Sequence, residues 1–95
     1  MQKIQKEIED LTALYSQGKM REVLARGKEL AARYPTSHVV HNILGAANSE
    51  LGRFEQATEC LSQALAVKPD HLVALHNLGN AFSRERKWPD SDMSH

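Results

Sequence analysis

A chain of 95 residues, 41% apolar and 25% charged, has room for one globular domain with a modest core, since folding at this size buries roughly 60–65% of the surface the unfolded chain exposes. Its 12 basic residues balance 12 acidic ones, which argues against the basic excess of a nucleic-acid binder and removes long-range repulsion between copies. Cys60 is the single cysteine, the N-terminus lacks the apolar run of a secretory signal, and no stretch approaches the ~18 apolar residues of a membrane span, so a reducing, cytoplasmic setting is expected.

The apolar pattern predicts five helices and no strand, at about 3–16, 20–34, 37–50, 54–67 and 71–86. The first ends ahead of Gly18, where a left-handed turn residue is needed and glycine adopts that conformation without a Cβ clash. In the second, Met20, Val23, Leu24, Leu30, Ala31 and Tyr34 recur on one face. Gly27 interrupts it, at a cost of about 1 kcal/mol against Ala if solvent-exposed. Pro35 closes that helix because proline cannot continue it, and Thr36 offers a side-chain oxygen to cap the third. Gly52 separates the third helix from the fourth, where Phe54, Ala57, Leu61, Ala64 and Leu65 renew the stripe. Pro69 then closes the fourth, and Asp70 is placed to cap the fifth.

These coincidences reflect a period. A shift of 34 residues lays Pro35 on Pro69, Gly18 on Gly52, Gly45 on Gly79, Leu44 on Leu78 and Val39 on Val73, with Leu30 on Ala64 and Ala31 on Leu65. Met20, Phe54 and Trp88 form a series of three. The chain therefore reads as one all-α domain of repeat units at about 4–37, 38–71 and 72–95.

A helical hairpin of this period, with Leu44-Gly45, Gly52, Ala57-x3-Leu61, Ala64 and Pro69 in its middle unit, resembles the tetratricopeptide repeat. The family's Trp, Tyr and Phe places hold His41, Asn48 and Leu61. In the third unit Leu75, Leu78-Gly79 and Phe82 fit the pattern, while in the first Asp10-Leu11 stands in for Leu-Gly. The resemblance implies stacked antiparallel hairpins in a right-handed curved array, lined inside by the first helix of each unit and binding partners there. Gly45 and Gly79 are then expected at close helix crossings. The inner face is expected to carry Gln5, Ile8, Thr12 and Tyr15, then Val39, Asn42, Ala46, Ser49 and Glu50, then Val73, His76, Asn80, Ser83 and Arg84. Of these, Val39, Asn42, Ala46, Ser49, Val73, His76, Asn80 and Arg84 are the candidate partner-binding residues, the amides for a peptide backbone and the valines for apolar side chains.

One branch of the family clamps acidic chaperone tails with Lys, Asn, Asn, Lys and Arg. The corresponding places hold Ile8, Thr12, Ile43, Val73 and Asn77, so that clamp is missing.

Other chemistry finds little support. His38 and His41 are three apart on one helix, but two ligands do not close a zinc site, and His41 fills the family's Trp place in the seam; no metal or cofactor is expected. His71, His76 and His95 read as scattered surface groups, and Cys60, beside Leu61 with no His or cationic partner, as a structural thiol. No nucleophile elbow, P-loop or dinucleotide fingerprint occurs, and Glu9/Asp10 lie on a polar face, so the chain is not expected to be an enzyme.

The leading expectation is a protein-interaction scaffold. The alternatives are a structural, self-assembling repeat module, or the N-terminal repeat segment of a longer protein, transferases among the candidates. In the 34-residue register Arg86-Lys87-Trp88 corresponds to Gly52-Arg53-Phe54, and the six residues Asp90–His95 after Pro89 are too few and too polar to build a helix, so the third hairpin is expected to lack its second helix. Leu75, Leu78, Phe82 and Trp88 would then present an apolar face that a second copy covers, giving a homodimer through the C-terminal helix.

Overall fold

Two alternating turn chemistries, each repeating every 34 residues, set where the helices stop. The computed structural model describes residues 3–85, which form α1 (Lys3–Ser16), α2 (Met20–Arg33), α3 (His38–Glu50), α4 (Phe54–Val67) and α5 (Leu72–Glu85). Within each hairpin the chain turns at a glycine, Gly18 or Gly52, both at φ +79°. The orphan carbonyls of the preceding helix are taken up as the turn closes: the Lys19 N–H donates to Leu14 O at 3.0 Å and the Arg53 N–H to Asn48 O at 2.8 Å.

Between hairpins the caps fall one residue later than expected. Ser37, not Thr36, receives the Val40 N–H on its Oγ at 3.4 Å, and His71, not Asp70, receives the Ala74 N–H on Nδ1 at 3.4 Å. Thr36 and Asp70 sit in the turn itself, and the Asp70 carboxylate pairs instead with Lys68 Nζ at 3.3 Å. An N-cap side chain accepts from the second or third helical N–H, and the two-residue turn after Tyr34 or Lys68 places Ser37 and His71 in that position.

The helices stack in sequence into an array 49 × 26 × 18 Å. Each packs on its neighbours in the chain, and the first helices α1, α3 and α5 also approach in series, whereas the backbones of α2 and α4 stand further apart. The first helices thus form one continuous layer and the second helices a broken outer one. Leu11, Val23, Leu24, Leu30, Val40, Leu44 and Ala47 make the main core, and Leu61, Ala64 and Ala74 a smaller one between α4 and α5, with Leu65 and Leu78 packed against it.

Close approach at two glycines sets the helix spacing. A Cβ at Gly45 would stand 2.5 Å from Leu61 Cγ and 3.2 Å from the Ala57 carbonyl oxygen, so α3 and α4 meet there almost backbone to side chain. Gly27 corrects the sequence reading. It is buried, not an exposed weak point, and a Cβ there would lie 2.5 Å from Leu44 Cδ2. Gly79 is half-buried on α5.

Candidate functional site on the inner helix layer

The inner layer carries a groove whose walls come from all three first helices. Thr12 and Tyr15 from α1, Asn42, Ile43 and Ala46 from α3, and Val73 and Asn77 from α5 enclose a hollow of about 280 Å3. A smaller hollow of about 40 Å3 shares Tyr15, Ala46 and Asn77 and continues past Ser49, Glu50, Asn80 and Arg84. Residues spaced three, four and seven apart share a helical face, so Asn42, Ala46 and Ser49 align along α3, and Val73, Asn77, Asn80 and Arg84 along α5.

Polar groups in the groove are already organised. Asn77 Nδ2 donates to Asn42 Oδ1 at 3.0 Å, tying α5 to α3 across the floor. Tyr15 bridges the two hollows, and its phenol is pushed above its ordinary pKa of 10.0 by burial first and by the Glu50 carboxylate second, with Arg84 opposing. The hydroxyl is therefore a neutral donor and acceptor throughout the physiological range. Glu50 and Arg84 lie together at one end, so the groove has a dipolar end and a largely uncharged middle.

Six of the eight candidate partner-binding residues line these hollows: Asn42, Ala46, Ser49, Val73, Asn80 and Arg84. Ser49 is buried, and Val73 stands 55% exposed, available to a ligand. Val39 is half-buried and His76 exposed, and neither lines the groove. Of the other residues expected on the inner face, Thr12, Tyr15 and Glu50 line it, Ile8 packs against the core, and Gln5 and Ser83 are exposed outside it. Ile43 and Asn77 line it without having been assigned there as groove residues. The signal was available: both occupy clamp places in the chaperone-tail comparison, which finds the groove even though the charged clamp is missing.

A broader, open hollow of about 590 Å3 lies on the other side, where α2 and α4 stand apart, lined by Ala31, Ala32, Pro35, Ala66 and Val67 with Lys28 and Gln63 at the rim. Its walls are mostly methyl groups, and His41, which reaches it, is committed: Nε2–H donates to Pro35 O at 2.7 Å. Binding sites pair an apolar lining with a few convergent polar groups, and the inner groove has them where the outer hollow does not.

Along α5, Leu72 is 75% and Leu75 46% exposed. Leu78 and Phe82 are half-buried, and Trp88 lies outside the described residues. Cys60 is free and half-buried; burial foremost, and Glu59 next, raise its thiol pKa, so the thiolate is disfavoured. Among the described residues no group of three or more His, Cys, Asp or Glu is placed to hold a metal ion, and no helix is long and apolar enough to cross a membrane.

The comparisons agree with this architecture. The chain is 37% identical over 57 residues to tetratricopeptide repeat protein 7A of Homo sapiens, a match over 60% of this chain. The array is tetratricopeptide-like. The matching stretch spans 7% of that human protein's length, so the likeness is to a portion of a much longer molecule. No family model matches the chain. The three first helices of this tetratricopeptide-like array form the continuous layer that carries the groove.

Proposed function

We propose that this array is a non-catalytic module that docks an extended protein segment along its inner groove. The observation that carries the reading is the convergence of Tyr15, Asn42, Ile43, Val73 and Asn77 from three different helices around one hollow of about 280 Å3. Amides at Asn77 and Asn80 suit a peptide backbone, and Ile43 and Val73 suit apolar side chains between them. The middle of the groove lacks a cation cluster, which favours a neutral, partly apolar segment over an acidic tail. A cytoplasmic setting fits the free thiol of Cys60, which has no partner for a disulfide.

A peptide-display selection with the purified chain tests this. Selected peptides should lose binding to Asn77→Ala and Val73→Glu and keep it for Gln56→Ala and Glu59→Ala on α4. Equal loss on both faces would refute the groove assignment.

A second reading has its own observation, the exposed apolar strip of Leu72 and Leu75 on α5. It favours association of two copies along α5, consistent with the zero net charge. Light scattering over a concentration series decides it: a rise to twice the monomer mass, abolished by Leu72→Lys with Leu75→Lys, supports the dimer, and a constant monomer mass defeats it.

A further inference from the structure

The start of α5 is unusual in using an imidazole as its helix cap. Ser37 and His71 occupy equivalent places in the repeat, 34 residues apart, and each accepts the third helical N–H at 3.4 Å. A serine hydroxyl accepts at any pH. An imidazole accepts only while its Nδ1 lone pair is free, which requires the neutral ring with its proton on Nε2.

The surroundings favour that neutral form. His38, the first residue of α3, meets His71 edge to face, with ring centroids 4.8 Å apart and planes at 86°. His71 Nε2 and His38 Nδ1 are both buried and have no hydrogen-bond partner. The charged or titratable groups facing the His71 ring are His38 from α3, and Lys68 and Asp70 from the turn after α4. Burial is the largest influence and opposes protonation, His38 and Lys68 oppose it too, and Asp70 alone favours it. The His71 pKa is held below its ordinary 6.5. A proton would also place positive charge at a helix N-terminus, against the macrodipole.

We infer that the His38–His71 contact is an acid-sensitive latch, which docks the start of α5 on α3 at neutral pH and releases it on acidification. Val73 and Asn77 lie in the first two turns of α5, so release disassembles one wall of the inner groove. That consequence rests on the docking reading above; the latch itself does not. The sign follows from linkage. A folded-state pKa below the unfolded value gives a stabilisation that is complete above about 6.5 and is lost as pH falls through the folded-state value.

Two measurements on the ligand-free protein test the latch. Nitrogen-15 NMR of the histidines at pH 7.5 should find His71 with an unprotonated Nδ1 and a protonated Nε2; the opposite tautomer overturns the proposal without any variant. Amide-exchange protection factors for residues 75–80 should fall on the order of tenfold between pH 7.5 and 5, while those of α2 hold steady. His71→Asn keeps a capping side chain that does not titrate, and its α5 protection should stay flat over the same range. Unchanged α5 protection in the parent protein, or an equal fall in His71→Asn, overturns the latch. Because no peptide is present, a failure of the groove to bind ligand leaves these readouts unaffected.

Discussion

In the first hairpin Leu11 on α1 faces Gly27 on α2; in the second, the same two places hold Gly45 on α3 and Leu61 on α4. The large and small partners have changed helices. Leu11 and Leu61 are 1% and 0% exposed, so each fills its seam from opposite sides. The exchange has a structural use. With the small residue on the outer helix, α2 leaves room for Leu44 of the next unit, whose Cδ2 comes to 2.5 Å from where a Gly27 Cβ would be. With it on the inner helix, α3 receives Leu61 of its own hairpin. Helix α3 is thereby locked on both sides, pushing a leucine into α2 and accepting one from α4. Repeat packing conserves the summed volume at a seam better than it conserves which helix supplies it.

The largest expected effect breaks the second seam. Gly45→Leu sets side-chain atoms against Leu61 Cγ and the Ala57 carbonyl, and the carbonyl is helix backbone with no rotamer to change. A loss of about 3 kcal/mol is expected in denaturant unfolding. Gly27→Ala should cost less, about 1 to 2 kcal/mol: it meets Leu44 Cδ2 and Cγ, side-chain atoms of a buried leucine and not backbone, and the alanine regains helix propensity. Adding Leu61→Gly to Gly45→Leu copies the first hairpin's arrangement into the second and should recover part of the loss. Strict additivity of the two changes would show that these residues do not share a seam.

The family's Trp place sharpens the contrast between hairpins. It holds Glu7 in the first and His41 in the second. Glu7 reaches across its own hairpin to Arg33 Nη1 at 3.2 Å. The partner equivalent to Arg33 in the second hairpin is Val67, so His41 turns back instead and donates to Pro35 O at 2.7 Å. His41 thus ties the second unit to the end of the first and is 6% exposed. His41→Ala should destabilise by about 2 kcal/mol, from a lost buried hydrogen bond and the cavity left behind, with little dependence on salt. A parent-like melting temperature would mean that the Pro35 contact contributes nothing.

What was legible in the sequence, and what was not, follows the same division between local and cross-helix determinants. The ends of the first four helices, at Ser16, Arg33, Glu50 and Val67, fell within one residue of expectation because Gly18, Gly52, Pro35 and Pro69 act on their own backbone. The fold followed from the 34-residue period, for which neighbouring units need no detail. The caps slipped by one position because Thr36 and Ser37 are both competent cap residues, and turn geometry rather than chemistry chooses between them. Gly27 was misjudged because a glycine's cost in an isolated helix says nothing of a leucine arriving from the next unit. In the groove, helical spacing places Asn42, Ala46 and Ser49 along one face, and all three line the hollows. It did not foresee the Asn42–Asn77 bond, which depends on how α3 and α5 shear past one another. Val39 does not line the hollows, because helical position alone does not say how far along α3 the groove extends.

Against the unequal seams, the two glycine turns provide a control. Gly18 and Gly52 share φ +79°, and a Cβ at either would meet nothing within 4 Å. Ala at each site therefore pays only for the left-handed backbone, about 1 kcal/mol. The two variants should melt together, separated by less than either differs from the parent. A clear inequality would show that one hairpin tolerates reopening of its turn better than the other, and the seams would then not be the source of the difference between units.

The smallest effect belongs to the ion pair that only the first hairpin possesses. Arg33 and Glu7 close the open end of α1 and α2 at 3.2 Å, but their side chains are 54% and 22% exposed. Water competes for both charges, and holding two long side chains together costs rotamer freedom, so a double-mutant cycle of Glu7→Gln and Arg33→Gln should give a coupling of about 0.5 kcal/mol. Screening separates this coupling from packing. At about 0.5 M salt the Debye length falls to roughly 4 Å and the coupling should shrink towards zero, while the His41→Ala loss persists. If the two respond to salt alike, the ends of the hairpins are held by the same kind of interaction. The exchange of Glu7 for His41 would then be a change of residue without a change of physics. If only the Glu7–Arg33 coupling fades, the first unit is closed by charge at its edge and the second by a buried hydrogen bond to its neighbour.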